Sequence, residues 1–518
     1  MLVEDPASVT LGEALAIVAD KVPDRPALLG EKRQLTWGAM DREVNQLANL
    51  LTQLGLEAGD AIGIVTTKRE EVTLLFLAAA RIGAIAAPVN FKLVPEHVKD
   101  QFDTSKLVAV LAERQFDDLL EVVLPCLKGP ECIVYIGGMG RHAGTDYAEV
   151  TRQSDQPPAH RAAPDDVCYY NYTSGTTGRP KGAKATHREI MVNAISGIEG
   201  FGFTGEDVFL GMFSVFSHPH ELFHRSLLVG GAFVIWDTLS PRVVCEVVER
   251  FKISWMMAVP SFYEMMLDHG GPGRSDISSL RVLEAGGAPV PAETLHRIES
   301  SYNATMMPVW GSTETCGVAL AMPPGEARKP GASGRAAPYY KIRVVNDAGE
   351  DVPNGEVGEM IVQGDAVSKG YVNAEEETAK HFRRGWYHTS DLVKSDDEGF
   401  LYFVGRQAEM MKVGGIRVYP LEIERAIREH PEVRGVLVVR ATERLRGEVP
   451  RALVTTHAGA VVNARGIKKW CREHLATYKV PRIVEFWSEL PTLPNGKIDR
   501  KGAAASEVNP TRDDRVDQ

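Results

Sequence analysis

Short apolar runs alternate with amphipathic stretches along the first two thirds of the chain. Val44, Leu47, Ala48 and Leu51 fall at i, i+3, i+4 and i+7 behind a capping Thr36, which predicts a helix with one face on a core. AIGIV at 61–65 reads as a short buried strand, 70–80 as a helix, and AIAAPV after it as a second strand. The pattern returns later: FVIWD at 233–237 precedes a helix carrying Val243, Val244, Val247 and Val248, and WMMAVP at 255–260 precedes one through Tyr263, Met266 and Leu267. Apolar strands alternating with helices predict an α/β unit whose parallel sheets are covered on both faces.

The character changes near 335–340. KIRVVND, GEMIVQG and GFLYFVG are separated by turn-rich DAGE and PNGEVG, which predicts a small β unit. Beyond Arg406, Pro420 opens a helix with Ile423, Ala426 and Ile427 inward. GVLVV at 435–439 is a strand, and Ile467, Trp470 and Cys471 mark another helix. The expected organisation is a large amino-terminal α/β domain over 1–406, with the β unit from about 335, then a small mobile α+β domain over 407–505 and a flexible tail over 506–518. The last residues, AAASEVNPTRDDRVDQ from 503, show no apolar periodicity and are read as fraying.

The 518 residues are enough for about three or four packing units at roughly 100–200 residues each. With 58 Lys and Arg against 69 Asp and Glu, the net charge of −11 argues against nucleic-acid binding. The most apolar stretch, Val72 to Val89, is interrupted by Arg81 and ends near Pro88, so no membrane span is expected. Six scattered cysteines form no CxxC pair, and Glu4 and Asp5 stand where an export signal carries positive charge. The expected compartment is the cytoplasm.

Candidate chemistry begins after VCYYNY, with Thr173-Ser174-Gly175-Thr176-Thr177-Gly178-Arg179-Pro180-Lys181-Gly182. Glycines let backbone N–H groups turn toward an anion, hydroxyls add donors and Lys181 adds a charge, a combination suited to polyphosphate. It is not a Walker A loop, since GxxxxGK[ST] is absent. TSGTTGRPKG resembles the phosphate-loop motif of the ANL superfamily of adenylate-forming enzymes, within it the AMP-forming acyl-CoA synthetases. Further segments match in the family's order over essentially the whole chain.

Ala285-Gly286-Gly287-Ala288-Pro289 is similar to the family's adenine-pocket segment. Trp310-Gly311-Ser312-Thr313-Glu314 resembles its YG-x-TE motif, which implies an aromatic at the adenine, Thr313 at the α-phosphate and Glu314 on Mg²⁺; Trp310 stands for the commoner Tyr and keeps a stacking face. Gly385 to Asp391 resembles GW-x-x-TGD, so Asp391 is implied as the ribose ligand, with Ser390 in place of the usual Gly. Arg406, closing Tyr402 to Arg406, is implied as a ribose or phosphate contact. Two residues on, the family's hinge residue is usually Asp or Lys, and here it is Ala408. Lys412 to Val418 resembles the loop that serves thioester formation, with Gly414, Gly415 and the phosphate-facing Arg417. Leu493 to Arg500 resembles the carboxy-terminal motif whose lysine, here Lys497, reaches between substrate carboxylate and α-phosphate.

The resemblance implies an AMP-forming carboxylic acid–CoA ligase that uses ATP, CoA and Mg²⁺. Thr173, Lys181, Glu314 and Lys497 would stabilise charge during adenylation, and rotation of the small domain would then exchange the Lys497 face for the 412–418 face. The acyl pocket is expected along 213–223, with Ser217 replacing a bulky aromatic and His218 the motif histidine. Ala408 and Ser390 leave open a ligase restricted to one half-reaction, including adenylation with transfer to a separate carrier protein. A homodimer is the assembly kept open.

Overall fold

The computed structural model describes residues 1–67, 69–159, 162–173, 181–216, 218–237, 240–269, 275–288, 290, 292–322, 324–325, 329, 331–443, 447–491 and 498–507. They divide into two compact units: Met1–Ile342 with Ile361–His388 and Gly399–Leu401, and Arg343–Met360 with Thr389–Glu398 and Tyr402–Gln518. A five-stranded sheet is built from Tyr340–Val345, Gly358–Gly364, Phe382–Arg383, Trp386–Ser395 and Leu401–Arg406.

The first unit carries a nine-stranded and a seven-stranded sheet. In the seven-stranded sheet, Ala61–Val65 pairs in parallel with Ile85–Pro88 and Leu107–Glu113, as the apolar runs predict. One edge departs from that pattern: Val167–Thr173 and Lys181–Thr186 form an antiparallel hairpin with Thr173 opposite Lys181. Such an edge strand needs no crossover helix, so a loop can project from the sheet end. In the nine-stranded sheet Val208–Gly211, Trp255–Ala258, Val282–Ala285 and Thr305–Ser312 run parallel in that order, and Gly317–Ala321 folds back antiparallel on the last.

Helices start where local chemistry satisfies their free N–H groups. Thr36 accepts a hydrogen bond from the Ala39 N–H at 3.2 Å and opens Trp37–Gln53, with Val44, Leu47, Ala48 and Leu51 all buried. Thr186 and Glu189 form a reciprocal capping box on His187–Phe201. The helix after Ala61–Val65 runs Glu70–Arg81 and is buried along its whole length, its polar Glu70, Glu71, Thr73 and Arg81 included.

In the second unit, Pro420–Arg428 and Ala464–His474 pack with the strands Val433–Glu443 and Gly447–Thr456 around Ile423, Ile427, Val436, Val454 and Ile467. The strand marked by GVLVV is longer than its apolar run, because Val433–Glu443 continues a hairpin with 447–456 on polar residues. The reading of Ala503 to Ala505 as frayed is corrected. Arg500–Ala505 is a helix with Gly502 N–H held by Asp499, and Ala503 is buried beside Leu437, Val439 and Leu453. A three-alanine stretch carries too little side-chain pattern to reveal that contact. No helix among the described residues is long and apolar enough to cross a membrane.

Candidate active site

The hairpin and the Glu314 turn come together through one short segment, 370–372. Its backbone pairs alongside the hairpin: Lys184 N–H donates to the Gly370 carbonyl at 3.0 Å and Val372 N–H to the Gly182 carbonyl at 2.8 Å. Tyr371, thus fixed, donates its hydroxyl to Oε1 of Glu314 at 2.7 Å. Burial pushes the phenols of Tyr371 and Tyr387 up, with Glu314 adding to the effect, so both remain donors at neutral pH. The Lys181 ammonium pairs with Glu377 and sits 5.9 Å from the Tyr371 ring centre. That lysine holds the Glu377 carboxyl below the usual carboxylate range. Neither Tyr371 nor Glu377 is among the residues expected from the sequence. Their partners lie 57 and 196 residues away, and no local spacing connects them.

The turn around Glu314 is heavily constrained. Ser312 N–H donates to the Thr315 hydroxyl at 2.9 Å, and that hydroxyl donates to the Gly317 carbonyl at 2.7 Å. Tyr340 donates to the Thr315 carbonyl at 2.7 Å, and Ser368 N–H to the Glu314 carbonyl at 2.8 Å. A Cβ at Gly311 would strike the Gly317 backbone, and one at Gly317, whose φ is +125°, would strike Glu221 and Asn193. Trp310, Gly311, Ser312 and Thr313 therefore leave the end of Thr305–Ser312 on a fixed path. The neighbouring parallel strand Val282–Ala285 ends at Gly286, Gly287 and Ala288, with Gly287 at φ +81°. Carboxyl ends of adjacent parallel strands are where open α/β sheets bind ligands.

Asp391 and Arg406 meet in the second unit, Nε to Oδ1 at 3.1 Å, with Asp391 only 4% exposed. Thr389 anchors the turn by donating to the Met360 carbonyl at 2.7 Å, and its hydroxyl accepts the Asp391 N–H at 3.0 Å. Between them Ser390 takes φ +61°, its N–H bound to Glu359 at 3.0 Å. The left-handed backbone explains a glycine preference at this place, and the Glu359 bond helps a serine occupy it. Ala408 lies in the short turn Gln407–Glu409, its carbonyl accepting from Arg440 at 2.8 Å. Gly414 and Gly415, at φ +57° and +85°, join Met411–Val413 to Ile416–Val418. A Cβ on either would meet nothing within 4 Å, so backbone conformation rather than room requires glycine there. Arg417 pairs with Asp347 at 2.8 Å.

His218, at φ +55°, opens the turn Pro219–Leu222. Behind it lies a buried polar group that sequence patterning missed. His220 donates Nε2–H to the Cys316 carbonyl at 3.0 Å, and burial lowers its pKa to about 4. Burial also pushes the Glu221 carboxyl up to about 8. Ser174, Gly175, Thr176, Thr177, Gly178, Ser217, Pro289 and Lys497 lie outside the described residues, as does the Thr173 side chain. Among the described residues no group of three His, Cys, Asp or Glu side chains forms a metal cluster.

The family models match this chain over most of its length: an AMP-binding enzyme domain over residues 15–372 and an AMP-binding enzyme C-terminal domain over 422–497. Feruloyl-CoA synthase of Amycolatopsis sp is 32% identical over 469 residues, covering 90% of this chain and 92% of that protein. Indoleacetate–CoA ligase of Aromatoleum aromaticum is 30% identical over 490 residues, 92% and 94% of the two chains. Among solved structures, the anthranilate CoA ligase AuaEII in complex with anthranoyl-AMP superposes with a TM-score of 0.89 at 27% identity, over 96% of this chain and 98% of that one. The molecule is thus an adenylate-forming enzyme, an AMP-forming acid–CoA ligase of the ANL type. More particularly, the chain belongs to the AMP-binding enzyme family.

Proposed function

We propose that this ligase activates an aromatic carboxylic acid. A carboxylate oxygen attacks the α-phosphorus of ATP and pyrophosphate leaves. The CoA thiol, losing its proton, then attacks the acyl carbon of the adenylate and AMP leaves. Relatives named for ferulate, indoleacetate and anthranilate support the aromatic class.

Two anions must meet in the first step, so the site has to supply positive charge without rearranging. Lys181 at the loop end of the hairpin, the 173–182 backbone and Lys497 take that part in the proposal, and Thr313 contacts the α-phosphate. Trp310 and the 286–289 segment receive the adenine, and Asp391 with Arg406 the ribose. Glu314 suits Mg²⁺, because a single hard carboxylate, oriented here by Tyr371, is the protein's usual share when phosphates and water complete the shell. Bound there, the ion would offset charge on the phosphates. For the second step we propose that the domain from about 407 onward turns about Ala408 and brings Gly414, Gly415 and Arg417 to the thiol. The cytoplasm is the proposed compartment.

The observation that carries the site reading is the Tyr371 hydroxyl on Glu314 with Lys181 beside the same ring. Its test is acid-dependent AMP formation from ATP, Mg²⁺ and CoA across aromatic, aliphatic and polycyclic acids, with products identified by mass. An aryl or arylalkyl acyl-CoA is expected. A preference for long aliphatic acids would refute the aromatic class. A second reading, motivated by Ala408, is a ligase of one half-reaction; preformed acyl adenylate with CoA would then give thioester while ATP and acid give no AMP.

A further inference from the structure

We infer that Glu377 is an exchangeable counter-ion for Lys181: it holds the ammonium while polyphosphate is absent, yields it to ATP, and takes it back as pyrophosphate leaves. The inference rests on the reading above that Lys181 meets the phosphates. Among the described residues the ion-pair partner of Lys181 is Glu377, through Oε2. Lys181 stands opposite Thr173 at the loop end of its hairpin, where the 174–180 connection rejoins the sheet. The Tyr371 ring lies 5.9 Å from the same ammonium and sends its hydroxyl to Glu314. The two carboxylates are thus divided: Glu314 is held by Tyr371, and Glu377 neutralises the lysine.

The surroundings of this pair suit exchange. A carboxylate sealed from water could not release its partner, because an uncompensated buried charge is costly. The Glu377 side chain, on the short helix Glu375–His381, is 29% exposed, and Nε2 of His381 lies 3.6 Å from the same Oε2. Water and the imidazole therefore remain to the carboxylate when the lysine turns away, and a partly exposed ion pair contributes little to begin with. A polyphosphate carries several negative charges against the single one of Glu377, so the lysine moves to the stronger anion. The same attraction would retain pyrophosphate after the first step. Glu377, kept ionised by its lysine, competes for that ammonium and favours release without any bond or proton changing hands. A carboxylate that only positioned Lys181 for the phosphates would have the opposite effect on binding, and this difference in sign makes the inference testable.

The test is calorimetric titration of the full chain with inorganic pyrophosphate, and separately with a non-hydrolysable ATP analogue, each with Mg²⁺. The chains compared are the parent, Glu377→Gln, Lys181→Ala and the double variant, with thermal melts confirming that each folds. Glu377→Gln is expected to bind both probes roughly two- to fivefold more tightly, the scale of a partly exposed ion pair, and to be inhibited by correspondingly less pyrophosphate during AMP formation. Lys181→Ala should weaken both probes, and adding Glu377→Gln to it should change nothing further. Should Glu377→Gln not fold, Glu377→Ala carries the comparison. Equal or weaker binding by Glu377→Gln would overturn the inference, as would tightening that persists without Lys181, which would show a general charge effect. If Lys181→Ala binds like the parent, the phosphate role of Lys181 falls and the inference with it; if Lys181→Ala weakens binding while Glu377→Gln does not tighten it, the inference falls alone.

Discussion

Two pairs of glycines show how differently the two units are built. Gly311 and Gly317 frame Glu314 where added side chains would strike backbone or buried carboxamide and carboxyl groups. Gly414 and Gly415 sit in an open hairpin, where an added Cβ would touch nothing and only the positive φ is demanding. The first arrangement holds Glu314 on a fixed turn, as its proposed part in adenylation requires of a group that must not reorganise. The second keeps a clear surface on a fixed turn, which suits a face that must approach a substrate and leave again.

The comparison can be broken from its strong end. Lys497→Ala should slow acid-dependent AMP formation by at least ~10²-fold, the scale of losing one preorganised charge donor, while thioester formation from preformed acyl adenylate changes far less. Stopped-flow assays of each half-reaction read this directly. Gly317→Ala should lower the melting temperature sharply or prevent folding. Gly414→Ala should lose only about 1–2 kcal/mol from its left-handed backbone, seen as a few degrees in a thermal melt. If the two variants melt alike, the contrast between crowded and open glycines is wrong. Tyr371→Phe removes one hydrogen bond to Glu314, roughly 1.5–3 kcal/mol for a charged acceptor, so adenylation should fall on the order of tenfold with the melting temperature nearly kept.

The smallest effect is in pH dependence. Burial raises the Glu221 carboxyl to about 8, above its unfolded range. The folded state therefore holds that proton more tightly. Its stabilising contribution is complete below the unfolded pKa, near 4.5, and is lost as pH rises through about 8. The Glu221 contribution falls between about pH 5 and 8, against the rise up to about 6.5 from the buried neutral His187, His220 and His224, so the Glu221→Gln variant should lose less melting temperature than the parent on going from pH 5 to 8. An unchanged slope in the variant would show that Glu221 ionises normally.

Much of the fold is legible in periodicity. The run AIGIV, the Thr36 cap and the Pro420 helix appear where spacing puts them, because local pattern and final packing agree. Of the motif residues, Glu314 follows the end of Thr305–Ser312, Arg406 ends Leu401–Arg406, and Asp391 lies within Trp386–Ser395 beside the left-handed Ser390. What spacing does not disclose is pairing across distance. Tyr371 reaches Glu314, and Glu377 reaches Lys181, only after the 370–372 segment docks on the hairpin. His220 and Glu221 fall in the stretch expected to form the acyl pocket, but their burial follows from contacts such as His220 with Cys316, 96 residues away, that no local spacing reveals. Ser390 illustrates a middle case: the departure from glycine is visible in the chain, but its left-handed backbone and the Glu359 bond that supports it belong to the folded turn.

The most direct test of the division between the two regions measures both half-reactions in Glu314→Gln and in Arg417→Ala. The account predicts a crossing: Glu314→Gln loses acyl-adenylate formation but converts preformed adenylate and CoA to thioester, whereas Arg417→Ala retains adenylation and loses thioester formation. Equal loss of both half-reactions in each variant would contradict it.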